Sequence, residues 1–509
     1  MKKALLAIIV LILAIPLYLF ASGKIGISSV SMILNVMTGS GIESPDDQKL
    51  KSRLQLPEGF TISMYAADVP NARFIQMTTN NDLLISRPHR GEIMLIAADQ
   101  SHTGRSGERS TLLANLNRPS GLALHNGWLY IGESDAIGRV RFNQDTGNIQ
   151  GNYQRIITGL TDDGNHPYKN IGIGPDEKLY IAQGSTCNVC IETDTRRGTM
   201  SRFNLDGTGE TLVASGLRNT MDFEWAPWSG ELFATDNGRD MLGDDYPPCE
   251  FNQIKQGQFY GWPFFNGNNR IDPDFDNAPA ELASNPIAPA HEFKAHNAPL
   301  GMGFINADKL PNEFNQTALV ALHGSWNRSS PDGYKVVSLH WQDGKITSKD
   351  FLTGFELDGD IIGRPVDITQ DTNGAIYISD DYAGAIYRVA YGEPQLITTQ
   401  ISGESKQSLN QDAKEQDPFS LAQPEWLTDQ NKGELANKGE KLYNALGCHG
   451  CHQNAADESR LNLMNVHLRL QYEDVIDKLS KPTPPMPTFP LSQTDKQALA
   501  TFLMKRASN

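Results

Sequence analysis

The chain has 509 residues, with 44 Lys and Arg against 60 Asp and Glu, which gives a formal net charge of −16. So large an acidic excess disfavours nucleic acids and anionic membrane surfaces as partners. The length exceeds that of one small domain, and 45 glycines with 20% charged residues are typical of a body rich in turns and strands.

The N-terminal segment, residues 1–23, predicts a membrane anchor. Two lysines at positions 2 and 3 precede an apolar run over residues 4–21, which is close to the thickness of a hydrocarbon core when helical. Residues 19–21 form a poor cleavage site, so an uncleaved anchor is favoured over a signal peptide. The lysines keep the N-terminus cytoplasmic, which predicts that the body lies on the periplasmic side of a bacterial inner membrane.

Residues 51–392 contain a weak repeat made of a turn, a short β-rich run, a loop and a second short strand. Six copies of the first run lie at residues 81–85, 127–131, 177–181, 230–234, 317–320 and 374–378. Such repeats are typical of propeller blades. The pattern predicts an all-β six-bladed β-propeller with a long insertion over residues 236–299. An all-β sandwich, the alternative, explains the regular spacing less well.

The rest of the chain has a different composition. Residues 24–50 are interpreted as a spacer, and residues 393–430, rich in Gln, Ser, Asp and Glu, as an exposed linker. Residues 431–509 predict a small all-α domain, with helices over residues 433–446 and near 492–505.

This last domain contains a CxxCH motif. Cys448 and Cys451 are spaced to form thioethers with one haem, and His452 is placed to bind its iron. A surface disulfide is one alternative; a redox CxxC would need a βαβ context, and a zinc site a second pair of ligands. The motif predicts one covalent haem c.

The predicted sixth ligand of the haem iron is Met486, which lies in a stiff proline-rich segment. The other downstream candidates are assigned to ordinary packing: Met464, His467 and Met504. With its two helices, the domain resembles a small class I cytochrome c.

Eight short motifs follow one another in the propeller region. They lie at residues 165–171, 174–180, 216–219, 236–240, 260–263, 323–328, 363–367 and 380–384. Their order and spacing resemble the sorbosone dehydrogenase-like family and, more distantly, the soluble glucose dehydrogenases that use pyrroloquinoline quinone (PQQ). The resemblance covers residues 54–391 and implies a six-bladed propeller with PQQ and calcium in a cleft at one end.

The resemblance also implies roles for particular residues. His166 would take the proton from a sugar hydroxyl as hydride leaves for the quinone. Arg218 and Asn219 match the pair beside the quinone, where a guanidinium would stabilise developing negative charge. The carbonyls of Gly238 and Arg239 match the ligands of a calcium ion, which would polarise the quinone.

Three further cations, Lys169, Arg328 and Arg364, are suited to the three carboxylates of PQQ, with surface ion pairs as the alternative. Two positions depart from the soluble glucose dehydrogenases. Ser185 stands where an aspartate orients the catalytic histidine, and Val366 where a second arginine is expected. These departures put glucose in doubt as the substrate.

Cys187 and Cys190 lie next to the presumed site. In an oxidising compartment their spacing predicts a short-loop disulfide rather than a thiol catalyst, which leaves Cys249 unpaired.

The leading hypothesis is a periplasmic quinohaemoprotein that oxidises an aldose- or sorbosone-type sugar, or a related alcohol or aldehyde, and passes electrons from PQQ to its haem. A respiratory acceptor would then take them. Two alternatives are a calcium-dependent propeller hydrolase, such as a lactonase, and a non-catalytic binding propeller fused to a cytochrome. The hydrolase needs carboxylate and asparagine ligands that converge on the central channel.

Overall fold

The computed structural model describes residues 41–98, 104–283, 286–342, 344–392, 426–427, 431–446, 448, 472–481, 489 and 491–505. The chain divides into two compact units, Met1–Thr399 and Gln400–Asn509. The predicted anchor and nearly all of the predicted linker lie outside the described residues. In the part of the chain that is described, no helix has both the length and the apolar character needed to cross a membrane.

The first unit is a propeller of six antiparallel sheets, preceded by helix α1 (Asp47–Arg53). Strand β1 (Phe60–Ala66) comes first in the chain but completes the last blade. The first blade comprises β2 (Ile75–Met77), β3 (Leu83–Arg87), β4 (Glu92–Ile96) and β5 (Arg109–Leu113). The second comprises β6 (Leu122–His125), β7 (Trp128–Gly132), β8 (Ala136–Asn143) and β9 (Asn148–Thr158). The third comprises β10 (Lys169–Ile173), β11 (Leu179–Gln183), β12 (Thr199–Phe203) and β13 (Thr211–Ser215).

The fourth blade contains an excursion of the chain. Its first three strands are β14 (Thr220–Trp225), β15 (Leu232–Asp236) and β16 (Cys249–Ile254). The excursion holds β17 (Gln258–Phe259), β18 (Phe265–Asn266), β19 (Arg270–Ile271) and helix α2 (Ala280–Ala283), and β20 (His291–Phe293) then completes the blade.

The fifth and sixth blades resume the simple pattern. The fifth comprises β21 (Pro299–Phe304), β22 (Thr317–Leu322), β23 (Lys335–Gln342) and β24 (Lys345–Leu352). A short hairpin of β25 (Glu356–Leu357) and β26 (Asp360–Ile361) follows. The sixth comprises β27 (Pro365–Gln370), β28 (Ile376–Asp380), β29 (Ala385–Tyr391) and β1.

The predicted six-bladed propeller is confirmed. Each of the six β-rich runs overlaps the second strand of a blade, and these strands are buried almost throughout. Strands with both faces covered are expected to be continuously apolar, which is why these runs were visible in the sequence.

The predicted insertion over residues 236–299 is wrong in part. That stretch contains β16 and β20, which are the third and fourth strands of the fourth blade. Because β20 has only three residues, its sequence is too short to show a β pattern. The true excursion runs from residue 255 to residue 290.

The ring is closed by pairing between the two ends of the propeller sequence. Strand β1 pairs antiparallel with β29, from Phe60 opposite Tyr391 to Ser63 opposite Arg388. The first strands of neighbouring blades contact one another in a closed cycle: β2, β6, β10, β14, β21 and β27. Their starting ends therefore converge on one axis.

Residues at the end of the predicted spacer pack on the sixth blade. The Ile42 N–H donates to the Tyr382 carbonyl at 2.8 Å, and Leu50 of α1 is fully buried in the core beneath β1. This part of the spacer belongs to the propeller unit.

The second unit contains helices α3 (Lys432–Ala445), α4 (Tyr472–Ser480) and α5 (Gln493–Lys505), so the two predicted helices are confirmed. A Cβ at Gly439 of α3 would lie 2.1 Å from the Ala498 oxygen of α5, which shows how closely these helices approach. Met504 is buried in their shared core, as predicted, and Cys448 packs against it. Cys451, His452, Met464, His467 and Met486 lie outside the described residues, so haem attachment stays a prediction.

Ring closure by β1 predicts a marked difference between two neighbouring substitutions. Ile62→Ala, at a buried position of β1, is expected to lower the free energy of unfolding by about 2–4 kcal/mol through loss of packed methylene groups. Thr61→Ala, on the half-exposed face, should change it by about 0.5 kcal/mol or less. Denaturant titration of both variants measures the difference. Equal effects would rule out β1 as a main contributor to propeller stability.

Candidate functional site

The predicted site residues lie at one end of the propeller, which we call the site face. At this end the first strand of each blade begins and the second strand ends; in the third blade, for example, Lys169 is opposite Gln183. Ring closure brings the loops at these strand ends together around the axis.

An apolar plug closes the channel directly beneath the site face. It consists of four buried residues from four blades, Phe74, Met221, Leu300 and Val366, with Tyr168 packed against them. Val366 is fully buried there. An arginine at this position would place a charge in the plug, which explains why the expected second arginine is missing.

His166 lies in the loop that leads into β10, with a positive φ of 51°. Its Nδ1 lies 3.0 Å from the carbonyl oxygen and 3.0 Å from the hydroxyl of Ser185. A carbonyl only accepts hydrogen bonds, so Nδ1 carries the proton and Nε2 keeps its lone pair. Burial, and then the charge of Arg218, lowers the pKa of His166 to about 3. The imidazole is therefore neutral at physiological pH and can act as a base through Nε2.

The loop of His166 is held by Arg197, which the sequence analysis missed. Its side chain is buried and donates to six main-chain oxygens, those of Gly184, Ser185 and residues 161, 163, 165 and 166. These bonds satisfy a buried charge and also fix a strained backbone. The exposed neighbour Arg196 pairs instead with Glu210, and no sequence pattern distinguishes the two arginines.

Asn219 lies next to His166. A Cβ at Gly184 would stand 2.7 Å from both Asn219 Oδ1 and His166 Cβ, so glycine permits this approach. The Asn219 N–H donates to the buried Asp236 carboxylate at 2.7 Å. An equivalent hydrogen bond occurs in the sixth blade, where the Arg364 N–H donates to the buried Asp380 carboxylate at 2.9 Å.

Arg218 is buried between the third and fourth blades. Its Nη1 donates to the oxygens of Asn237 and Gly238 at 3.0 and 2.9 Å, and its Nε and Nη2 donate to Asn188. The structure thus brings Arg218 to the carbonyl predicted to bind calcium. The Arg239 side chain turns away and forms a buried ion pair with Asp272 at 2.6 Å, so only its carbonyl could serve a cation.

The three cations predicted for the carboxylates of PQQ are not equivalent. Lys169 is fully buried and its Nζ donates to the carbonyls of residues 161 and 167; burial, and then the Arg197 charge, lowers its pKa to about 7. Arg364 is also buried, and its Nε and Nη2 donate to the oxygens of residues 323 and 324. Arg328 donates to the main-chain oxygen of residue 244 and forms an ion pair with the exposed carboxylate of Asp245, so its role towards PQQ stays a prediction.

A second charged cluster, also missed, completes the site face. His323 Nε2 lies 2.9 Å from Asp381 Oδ1, and Arg73 Nη1 lies 2.5 Å from Oδ2. The Arg73 guanidinium stands 5.0 Å above the ring of Tyr168. Burial, and then the charge of Arg364, lowers the pKa of His323 to about 4. The cluster adds another cation beside the apolar plug.

The predicted disulfide between Cys187 and Cys190 is present. Cys249 lies outside it and is 1% exposed, and burial raises the pKa of its thiol to about 11. A buried protonated thiol is a poor nucleophile.

The rest of the channel is a cavity of about 740 Å³ lined by the first strands of all six blades. Asp222, Glu224 and Asp367 face it, and each accepts a main-chain N–H from the next blade. Burial raises the pKa of Asp222 to about 7 and that of Glu224 to about 8. Among the described residues, these acids form no chelating cluster. The alternation of acids in β14 could have revealed two of them.

The site face suits a flat polyanion and a hard cation. The plug offers an apolar surface, and basic side chains belong to the same loops and strand ends: Arg73, which is half-buried, and Lys169, Arg218 and Arg364, which are buried. Buried polar atoms without partners in the described part of the chain include both amide atoms of Gln183 and Oδ1 of Asn237. Carbonyl oxygens of residues 237–240 supply the ligand type that calcium prefers. The residues therefore fit PQQ and calcium.

Relatives of the propeller region are found among curated proteins. A protein of unassigned function from Borreliella burgdorferi is 32% identical over 361 residues, which are 68% of this chain and 92% of the relative. A pyrroloquinoline quinone-dependent sugar dehydrogenase from Hypocrea jecorina is 23% identical over 387 residues, 65% of this chain and 87% of the relative.

Solved structures show the same fold. The AA12-family carbohydrate-active enzyme of Trichoderma reesei superposes with a TM-score of 0.60 at 21% identity, over 67% of this chain and 98% of that one. The PQQ domain of pyranose dehydrogenase from Coprinopsis cinerea gives 0.57 at 19% identity, over 68% and 98%. The resemblance predicted from the motifs is thus confirmed. The TrAA12-like family model matches residues 54–263 and 271–392, and the chain belongs to this family.

Proposed function

We propose that the propeller is a PQQ- and calcium-dependent dehydrogenase of an aldose-type or related sugar, and that the whole chain is a periplasmic quinohaemoprotein. The observation that carries this proposal is a neutral His166 whose Nδ1 is held by Ser185, which leaves the Nε2 lone pair available as a base next to Asn219. The sugar dehydrogenase of Hypocrea jecorina is a relative over most of its own length.

The chain's own residues would bind the cofactor, orient the catalytic histidine and deprotonate the sugar hydroxyl. Lys169 and Arg364 would hold carboxylates of the cofactor, and the carbonyls of Gly238 and Arg239 would hold calcium. His166 Nε2 would accept the hydroxyl proton of the sugar, while Ser185 holds the ring. PQQ, when bound, supplies the hydride acceptor.

Ser185 orients the histidine, and its carbonyl raises the pKa of the imidazole less than burial and Arg218 together lower it. A carboxylate at this position would stabilise the imidazolium more strongly than a carbonyl and a hydroxyl do. The base is therefore weaker than in a His–Asp pair but remains unprotonated over a wider pH range.

The CxxCH motif at Cys448, Cys451 and His452, with Met486 as sixth ligand, supports an attached haem c as the internal electron acceptor. Sugar oxidation releases two electrons and the haem accepts one, so two transfers follow each turnover. A tethered acceptor meets its donor at high effective concentration. The N-terminal apolar run supports attachment to the inner membrane, where a respiratory acceptor would receive the electrons.

Replacing the base should separate chemistry from cofactor binding. His166→Gln is expected to lower kcat for sugar oxidation by about 100-fold or more, because general base catalysis is lost. The affinity for PQQ, measured by fluorescence titration, should change little because the cations are intact. Turnover that survives the substitution would remove the base assignment.

The depressed pKa of His166 predicts an unusual pH profile. The neutral form is required, and its fraction falls only as pH approaches about 3. We expect kcat/KM to show no decline between pH 8 and about pH 5 from this group, and to fall below that. Stopped-flow measurement with a dye acceptor tests this; a limb centred near pH 6.5 that disappears in His166→Gln would contradict it.

The attached haem can be tested independently of sugar oxidation. The protein is reconstituted with PQQ and calcium, sugars are added, and the haem absorbance is followed. Cys448→Ser with Cys451→Ser should abolish covalent haem and its reduction but leave dye-coupled sugar oxidation within about twofold, since the propeller is unchanged. Haem that stays unreduced by every sugar in the unsubstituted protein would remove the electron-transfer proposal.

A further inference from the structure

One residue of the third blade, Asn188, accepts two of the four hydrogen bonds of the Arg218 guanidinium. Nε donates to the Asn188 main-chain oxygen at 2.9 Å, and Nη2 donates to its Oδ1 at 2.9 Å. The Asp240 carboxylate is farther from Nη2, at 3.8 Å. One residue thus fixes two of the three nitrogens of a planar group, which sets the plane in which its remaining donors point.

The same carboxamide binds the main chain of the fourth blade. Asn188 Nδ2 donates to the Asp240 oxygen at 3.0 Å, and Oδ1 accepts from the Asp240 N–H at 2.8 Å. Asn188 therefore fixes the separation between Arg218 and the carbonyl loop of residues 237–240. No pattern in the sequence singles it out.

The Cys187–Cys190 disulfide closes a ring of four residues around Asn188. Within the same loop, the Ser185 hydroxyl donates to the Cys187 oxygen at 2.8 Å, and Ser185 in turn holds His166. A disulfide that closes so short a loop adds little to global stability, so its main effect is to restrict the local main chain. Both cysteines are half-buried and lie within reach of a dithiol.

The third nitrogen of Arg218 has a different environment. Nη1 donates to the oxygens of Asn237 and Gly238, and the second of these is a predicted calcium ligand. Because the guanidinium is planar, the two bonds to Asn188 also fix the position of Nη1 relative to this carbonyl and to the site.

We propose that Asn188 is a positioning residue of the sugar-oxidation reaction, that it acts through Arg218, and that the Cys187–Cys190 ring keeps it in place. This inference rests on the proposed function. Reduction of the disulfide by a dithiol transfers two electrons and two protons, yields two thiols and a cyclic disulfide of the reagent, and opens the ring. Reduction of the disulfide should therefore lower kcat, as substitution of Asn188 should.

A double-mutant cycle tests the route through Arg218. Asn188→Ala is expected to lower kcat by about 10- to 100-fold with KM changed by about twofold or less, because a small misplacement of a catalytic group affects the transition state most. In an Arg218→Ala background the same substitution should lower kcat by a clearly smaller factor, because only the bonds of Asn188 to Asp240 are then lost. Equilibrium titration of each variant with PQQ, followed by fluorescence, gives a second readout of the same coupling.

The role of the Cys187–Cys190 disulfide is tested with Asn188 left intact. Cys187→Ser with Cys190→Ser, and the unsubstituted protein after reduction with dithiothreitol and desalting, should both lose kcat by about the same factor, between about 3- and 30-fold. Dithiothreitol should not change the double serine variant. Ile191→Ala, at an adjacent side chain that is 68% exposed, serves as the matched control and should retain full activity.

The outcomes separate the two proposals. Unsubstituted protein that neither binds PQQ nor oxidises any sugar removes the proposed function and this inference with it. If the unsubstituted protein is active but Asn188→Ala lowers kcat by the same factor in the Arg218→Ala background as in the unsubstituted background, this inference alone is overturned. Activity that is insensitive both to reduction and to the paired serine substitutions overturns the role of the ring.

Discussion

The pairing of β1 with β29 is the constraint on which the rest of the propeller depends. It joins the first strand of the sequence to the last, so that the six inner strands form a closed cycle. In a closed cycle no blade can tilt alone, since its inner strand is packed between two others. The loops at the site face are thereby held towards one axis, although they come from positions hundreds of residues apart.

Within that frame, the site is organised by buried guanidinium groups bound to main-chain oxygens. Arg197, Arg218 and Arg364 each donate to carbonyls of loops that would otherwise need water. Burying a charge is costly unless its donors are satisfied, and carbonyl dipoles satisfy them without neutralising the charge. The site face consequently presents guanidinium groups, which can pair with anionic groups, and fixed oxygens, which favour a hard cation.

The sequence predicted the parts of this architecture that depend on local pattern. Second strands are buried on both faces and read as short apolar runs after a turn, so all six were found. Strand β20 was missed because three residues carry no period, and residues 236–299, which contain it, were interpreted as an insertion. Two of the three helices described in the second unit were predicted from the sequence, whereas α4 was not.

The site was predictable only where a motif carries it. His166, Arg218 and Asn219 stand in ordered motifs, and the structure brings them together. Arg197 and Asn188 have no such context: Arg197 differs from Arg196 only in the direction of its side chain, and Asn188 bonds to Arg218, which lies 30 residues away in the sequence. Contacts between blades decide such roles, and they follow from ring closure rather than from any local preference.

The parallel pairing of β17 with β13 has a consequence for the motions of the site. The excursion of the fourth blade adds a fifth strand to the third blade, and the Trp262 N–H donates to the Gly216 oxygen just before Arg218. These two blades carry the base and the arginine. Joined in this way, the two blades are expected to open together, with similar protection against amide hydrogen exchange. Arg364 belongs to the four-stranded sixth blade, whose opening is coupled to theirs only through the closed cycle of inner strands.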